Sequence, residues 1–431
     1  MKKIIRYPLA LLSLALLSLT ACEVDQPFGL VSQQAETISS PVVQSRAGEI
    51  IPNAYIVQFK QDLPELAEMR VTSTERPAPE THQLRQANSK SQTLTRQLMA
   101  NIELPEARVQ KVFDLPGSKG FSIKATDQEV SRLKKDPRVA HVEPDRIISL
   151  GLTPIAFSKS RLIPADDGPA SQALTYGVQR VGGTKNMSGS NKVAWIVDSG
   201  IDTDHQDLNV QTALGKDYTG SNSLEDGLGH GTHIAGIIGA LDNGIGVVGV
   251  AAGITLVPIR VLDDNGEGTV SGLIEALCYI GEYASWGDVV NLSVGAEKSI
   301  ALDDAVKALR NCSGVRIVIA AGNEAASTSN CSPAGIDEYK IYVAGAIDEN
   351  DAFCSFSNYG SNVDYLLPGA NIYSTYKNNQ YTSLSGTSMA APFLAGLLLI
   401  DGLGWDYDIE DDGWASTPGG SKPIAKWEYD D

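Results

Sequence analysis

The sequence predicts an α/β fold, a three-layer sandwich around a mostly parallel sheet, preceded by a small α+β domain. Three observations carry this. The runs KVAWIVDSGI (192–201) and GVRIVIAAGN (314–323) are rich in β-branched residues without polar alternation, as strands buried on both faces are. Segments of helical spacing, GTHIAGIIGAL (231–241), VSGLIEALCYIGEYA (270–284) and ALDDAVKALRN (301–311), alternate with such strands, and that order builds a sheet with helices on both sides. Ahead of residue 148 the pattern differs, with short alternating strands and a short capped helix.

In chain order, the first element is a targeting segment. Lys2, Lys3 and Arg6 precede an apolar stretch, Leu9–Leu19, which is shorter than the roughly 20 apolar residues that span a bilayer. It ends in Leu19-Thr20-Ala21-Cys22, which resembles the bacterial lipobox. That resemblance implies removal of residues 1–21, lipidation of Cys22 and export to the cell envelope, with Glu23 pointing to the outer membrane. Residues 22–50 are rich in Gln, Ser and Glu without periodicity and read as a tether.

The small domain is expected over 51–147. AYIVQF (Ala54–Phe59) and GFSIKA (Gly120–Ala125) read as strands. Thr126 and Glu129 form a capping-box pattern opening a short helix stopped by Pro137, and Val139–Asp145 reads as a closing strand. Residues 61–112 are expected to hold a long loop and a helix. A linker punctuated by Pro, Ser and Gly follows at 148–171, and the larger domain occupies 172–431.

The net charge of −18 is uneven: residues 148–431 contain 15 basic against 35 acidic residues. Such a surface repels phosphate and argues against nucleic acid as a partner. GIGVVG (Gly244–Gly249) matches a dinucleotide fingerprint, but it runs from a helical segment into the strand Ile254–Leu262, the reverse of the order that chemistry needs. Beyond Cys22 four cysteines remain, an even number in an exported chain, which predicts two disulfides with three possible pairings. The local pairing, Cys278 with Cys312 and Cys331 with Cys354, is the expected one.

Three segments each set a polar residue at the end or start of an apolar run: Asp198 after VAWIV, His230 in GHGTHIAG and Ser388 in SGTSMAAPF. A serine hydroxyl becomes a nucleophile when an imidazole takes its proton and a buried carboxylate holds that imidazole in one tautomer. The order Asp, His, Ser is one of the chain orders in which that triad occurs. The helix start at Ser388 serves the same chemistry, and Pro392 is expected in the helix's first turn, where its missing N–H is harmless.

VDSGID (197–202), GHGTHIAG (229–236), AAGN (320–323) and GTSMAAPF (386–393) together resemble the subtilases, the subtilisin-like serine proteases. The resemblance spans about 172–400 and implies a subtilisin-like fold and peptide-bond hydrolysis without a catalytic cofactor. It implies that Asp198 orients, His230 is the general base, Ser388 the nucleophile and Asn323 an oxyanion donor. Ser293, Val294 and Gly295 would pair with substrate backbone on one side, Gly266, Glu267 and Gly268 on the other. Ala320, Ala321 and Gly322 would wall the pocket for the residue before the cut, with Glu324 near its mouth. A structural Ca²⁺ is implied at Gln172, Asp207 and Asn243 with the carbonyls of Leu241, Ile245 and Val247. His233 reads as structural, and Asp202 and Asp204 as solvated loop charges.

AYIVQF and DPRVAHVEPD (136–145) resemble the subtilisin prosegment, an intramolecular inhibitor that the protease cuts away; the cut is expected within 148–171, with Gln172 favouring its late end. The ferredoxin-like prosegment, the protease's protein or peptide substrates and the membrane, through Cys22 before processing, are the implied partners. An inactive family member serving as an envelope binding protein is the alternative, against which the intact Asp198, His230, Asn323 and Ser388 argue. Residues 401–431, with nine acids, two lysines and three tryptophans, depart from the family pattern and predict loops and short strands instead of a closing helix.

Overall fold

A computed structural model describes residues 46–66, 90–150, 163–164, 171–400 and 409–427; the signal segment, Cys22 and most of the tether lie outside the described residues. The N-terminal domain runs β1 (Ile50–Phe59), α1 (Lys90–Asn101), β2 (Val109–Leu115), β3 (Ser118–Lys124), α2 (Asp127–Leu133) and β4 (Val139–Ser149). The antiparallel order β2-β3-β1-β4 with two helices is a ferredoxin-like split βαβ arrangement. Inward residues of the sheet, Val57, Phe59, Phe121 and Ile123, pack with Leu94, Leu98, Val130 and Leu133 of the helices. The capping box is present: Glu129 N donates to Thr126 Oγ1 at 3.4 Å and Thr126 N donates to Glu129 Oε2 at 2.7 Å. β1 starts at Ile50, ahead of the expected Ala54, because Ile50 already pairs with Arg146.

The larger domain continues with β5 (Val193–Asp198), α3 (His230–Gly239), β6 (Thr255–Arg260), β7 (Glu267–Thr269), α4 (Val270–Tyr283), β8 (Val289–Leu292), β9 (Ala296–Glu297), α5 (Ile300–Ser313) and β10 (Arg316–Ala320). Next come β11 (Cys331–Ser332), β12 (Ile341–Ile347), β13 (Tyr365–Pro368), β14 (Ile372–Tyr376), β15 (Gln380–Leu384), α6 (Thr387–Ile400), β16 (Ile409–Thr417) and β17 (Gly420–Trp427). The main sheet runs β16-β17-β13-β12-β10-β8-β5-β6, ends on a short strand at Lys216–Asp217, and is parallel except at the β16–β17 hairpin. Along β5, Val193, Trp195 and Val197 enter the core on the side of α4 and α5. Ala194 and Ile196 enter the core shared with α3 and α6. A strand buried on both faces needs no polar alternation, which is why its sequence shows none.

The chain's end is the β16–β17 hairpin. β17 extends the sheet beside β13 through Leu366 and Ile424, and Ala425 and Trp427 join the core. The outer strand β16 carries Glu410, Asp411 and Asp412 and a bulge before Trp414, the charges and irregularity that keep an open edge from pairing. Arg180 ties it down through Asp412 at 2.9 Å and Asp351 at 2.7 Å.

The two domains share a surface built on helix ends. Ser271 N, at the start of α4, donates to Asp145 Oδ1 at 3.1 Å. Ile300 N, at the start of α5, donates to Glu143 Oε2 at 3.0 Å, and Ser299 Oγ donates to Glu143 Oε1. Two carboxylates of β4 thus meet the positive ends of two helices. Ile56, Phe113 and Leu115 complete the apolar contact over α4 and α5.

The expected disulfides are not formed: no pair among Cys278, Cys312, Cys331 and Cys354 is joined. Burial pushes the Cys278 and Cys354 thiols up to about 12, so both stay protonated as small apolar groups. Asp202 is also unlike its expectation. It is 6 % exposed, accepts from Asn379 N at 2.7 Å, and is raised to about 6 by burial and the neighbouring Asp204.

Candidate active site

Asp198 ends β5 and is wholly buried; His230 opens α3. Gly229, just before it, has φ 98°, and a Cβ there would lie 2.3 Å from the Tyr376 ring, so the turn into the helix requires glycine. His230 Nδ1 lies 2.8 Å from Asp198 Oδ1, which also accepts from Ser199 N at 2.8 Å. Burial disfavours the charged imidazole, but Asp198 beside it and Asp226 behind it outweigh that and hold His230 above its ordinary value. His233, one turn on, is pushed by burial down to about 3, and its Nε2 faces the Ile372 and Thr382 carbonyls, as a structural histidine should.

Asp226 and Ser199 were not singled out in the sequence. Asp226 is buried and accepts five hydrogen bonds, from Ser199 Oγ, Leu228 N, Gly229 N and Thr232 N and Oγ1. All five partners are donors, an arrangement that suits an ionised carboxylate even though burial raises its pKa. The Ser199 hydroxyl sits 2.8 Å from Asp226 and 3.1 Å from Asp198 and accepts from Gly231 N, so one side chain braces both carboxylates and the start of α3. The signal available in sequence was only the acid in EDGLGHG, four residues ahead of His230.

Ser388 is the second residue of α6 and Asn323 follows β10. Asn323 Oδ1 accepts from Thr387 N at 2.8 Å and Thr387 Oγ1 at 3.1 Å, which pins the amide beside Ser388. Among the described residues no hydrogen bond joins His230 to Ser388. Pro392 is the sixth residue of α6, inside the helix and beyond the expected first turn. A proline there cannot donate to the carbonyl four residues back, that of Ser388. Ser293 Oγ donates to that carbonyl instead, at 3.3 Å.

A groove passes Ser388, and β4 lies in it. On one side Ile147, Ile148 and Ser149 pair antiparallel with Thr269, Gly268 and Glu267 of β7. On the other, Ser149 N donates to Gly295 O at 3.3 Å and Gly295 N to Ser149 O at 3.2 Å. Gly268 is required, since a Cβ would lie 2.1 Å from Val261 O, and Gly266, at φ 78°, makes the turn into β7. Leu150 borders a cavity of about 330 Å³ that also touches Ser388, Ser293, Val294, Ala320, Ala321, Gly322 and Glu324. Glu324 Oε2 accepts from Asn358 Nδ2 at 2.6 Å at its wall, and Cys331, unforeseen, lines the far side.

Of the residues expected to hold calcium, Gln172, Asp207, Leu241, Asn243 and Val247 converge. Gln172 Nε2 donates to Leu241 O at 2.7 Å and Val247 O at 3.2 Å, and Asn243 Nδ2 donates to Asp207 Oδ1 at 3.1 Å. Burial pushes Asp207 up to about 7. Ile245 lies in the same loop, its N–H donating to Asn243 Oδ1. Amide and backbone N–H groups fill these oxygens here, and Gln172 and Asn243 would turn their amide oxygens inward to serve a hard cation.

The chain matches two family models: the subtilase family over residues 189–400 and peptidase inhibitor I9 over 54–151. It is 34% identical over 400 residues to an extracellular serine proteinase of Thermus sp. (strain Rt41A), covering 89% of this chain and 87% of that one. It is 35% identical over 298 residues to subtilisin NAT of Bacillus subtilis subsp. natto, covering 67% and 71%. A crystal structure of a cold-adapted subtilisin-like serine proteinase superposes with a TM-score of 0.54 at 30% identity, over 60% of this chain and 99% of that one. With an inhibitor domain docked through β4 and over α4 and α5 of a domain built on a doubly covered parallel sheet, the chain belongs to the subtilase family and is a subtilisin-like serine endopeptidase.

Proposed function

We propose that this endopeptidase is made as a zymogen and hydrolyses peptide bonds with Ser388, His230 and Asp198, through an acyl-enzyme. His230 takes the Ser388 proton as Oγ attacks the carbonyl, and Asp198 holds the tautomer with Nδ1 protonated. The Asn323 amide and the Ser388 backbone N–H donate to the developing oxyanion. His230 then protonates the leaving amine and activates the water that frees the acyl group. The observation that carries this reading is the 2.8 Å Asp198–His230 pair beside a groove in which a strand is already held like a substrate. A fluorophosphonate probe should label the processed chain at Ser388 and fail on Ser388→Ala; an unlabelled, correctly folded wild type would favour a binding protein instead.

Because the neutral imidazole is the working form and its neighbours raise its pKa, kcat/KM is expected to climb with pH through a midpoint above 6.5. A pH profile on an uncharged peptide measures that. Backbone pairing along Ser293–Gly295 and Gly266–Gly268 reads extended peptides with little demand on side chains. We therefore expect broad specificity favouring large neutral residues before the cut, with Glu267 and Glu324 tolerating Lys or Arg; strict preference for acids in a peptide library would overturn it.

Gln172, Asp207, Asn243 and the Leu241, Ile245 and Val247 carbonyls would hold Ca²⁺, which supplies the charge that the buried Asp207 carboxylate needs. Chelation is expected to lower the thermal midpoint by about 5–10 °C, from about 2–3 kcal/mol of linked binding. Calorimetry with and without excess chelator checks this.

The first cut falls within 148–171. Ser149, held in the groove opposite Gly295, lies close to the Ser293 segment that bonds the Ser388 carbonyl, which favours a cut soon after Leu150 over the late end near Gln172. Residues 151 and 152 lie outside the described residues. Lipidated Cys22 would stay with the inhibitor side, so cutting would free the protease from its membrane tether unless the inhibitor stays bound. Equal membrane retention of processed wild type and uncut Ser388→Ala would refute that release.

A further inference from the structure

Just ahead of the inhibitor domain, Arg46–Glu49 continues β1 along the outer edge of β4. Gly48 N donates to Ile147 O at 2.9 Å and Ile147 N to Glu49 O at 3.0 Å. The segment reaches both rims of the groove. On one, Arg46 Nη1 lies 3.5 Å from Glu267 Oε2 on β7. On the other, Arg146 of β4 donates to Glu297 Oε2 on β9 at 3.0 Å and to Gly48 O at 2.6 Å. Gly48 is buried at φ 80°, and a Cβ there would lie 2.8 Å from Glu297 Cγ, so this close approach admits glycine. Ala47 borders the cavity that also touches Ser388.

We propose that Glu267 and Glu297 are an arginine-docking surface through which Arg46 and Arg146 strap the inhibitory strand into the groove. This rests on the reading of β4 as the segment left in the groove after self-cleavage. The main-chain bonds to Ile147 keep the strap in register with the strand it covers. The two arginines turn an acidic groove into a holder for this one strand. Severing the chain beyond β4 leaves every one of these contacts in place, so the strap acts on release of the inhibitor, after the cut.

The test uses the full chain, diluted from denaturant, with cleavage followed on gels and activity on a chromogenic peptide. The quantity read is the interval between cleavage and activity. Arg146→Glu and the more exposed Arg46→Glu are each expected to shorten it by about threefold, the scale of a surface ion pair. Adding Glu297→Arg to Arg146→Glu should restore the interval in part, re-forming the ion pair but not the bond to Gly48 O, a rescue that general loosening of the domain would not give. Normal cleavage followed by an unchanged interval in both single variants overturns the strap, as does failure of the charge swap to restore any of it. A wild-type chain that folds but never cuts itself overturns the processing beneath it.

Discussion

Ser388→Ala is expected to leave the chain uncut and to lower peptide hydrolysis by about 10⁶-fold, because a triad's members act as one unit. Its helix should be undisturbed: Ser388 is 4 % exposed, its carbonyl keeps the bond from Ser293, and losing a hydroxyl opens little space. Mass spectrometry of the accumulated chain and calorimetry of its unfolding separate the two readouts. Loss of activity with normal self-cleavage would mean that another group cuts the linker.

Asn323→Ala is expected to lower kcat by about 10²–10³-fold with KM nearly unchanged, the mark of a donor that matters only once negative charge develops. The geometry behind this is the pair of bonds from Thr387 to Asn323 Oδ1, which fix the amide plane before substrate arrives. Thr387→Val removes the hydroxyl bond while keeping the backbone one and should give a smaller loss. Should Asn323→Ala raise KM instead, the amide would be binding the ground state.

The parts of this molecule written in short stretches were legible in the sequence. VAWIVD and RIVIA are strands buried on two faces, and their lack of alternation says so; Asp198, His230, Asn323 and Ser388 sit at the ends of such runs. The Thr126–Glu129 cap is local and was readable for the same reason. What could not be read depends on distant partners. Glu143 and Asp145 look like ordinary strand acids until the starts of α4 and α5 meet them. Asp202 looks like a loop charge until Asn379 N and surrounding chain cover it. The β16–β17 hairpin has its turn in TPGG, but its attachment to β13 rests on one pairing, Leu366 with Ile424, which no periodicity announces. The cysteine pairing failed because parity counts thiols and says nothing of where their side chains lie.

Pro392 leaves the Ser388 carbonyl to Ser293, which belongs to the segment that grips the bound strand through Gly295. The gripping edge and the reactive residue are therefore clamped together as one rigid jaw. On the proposed mechanism, a peptide that pairs with that edge would be held in a fixed register with Ser388. Loosening the clamp with Ser293→Ala would let the peptide sit correctly while the oxygen wanders, so slower turnover would appear as slack between two parts that otherwise share one reference frame.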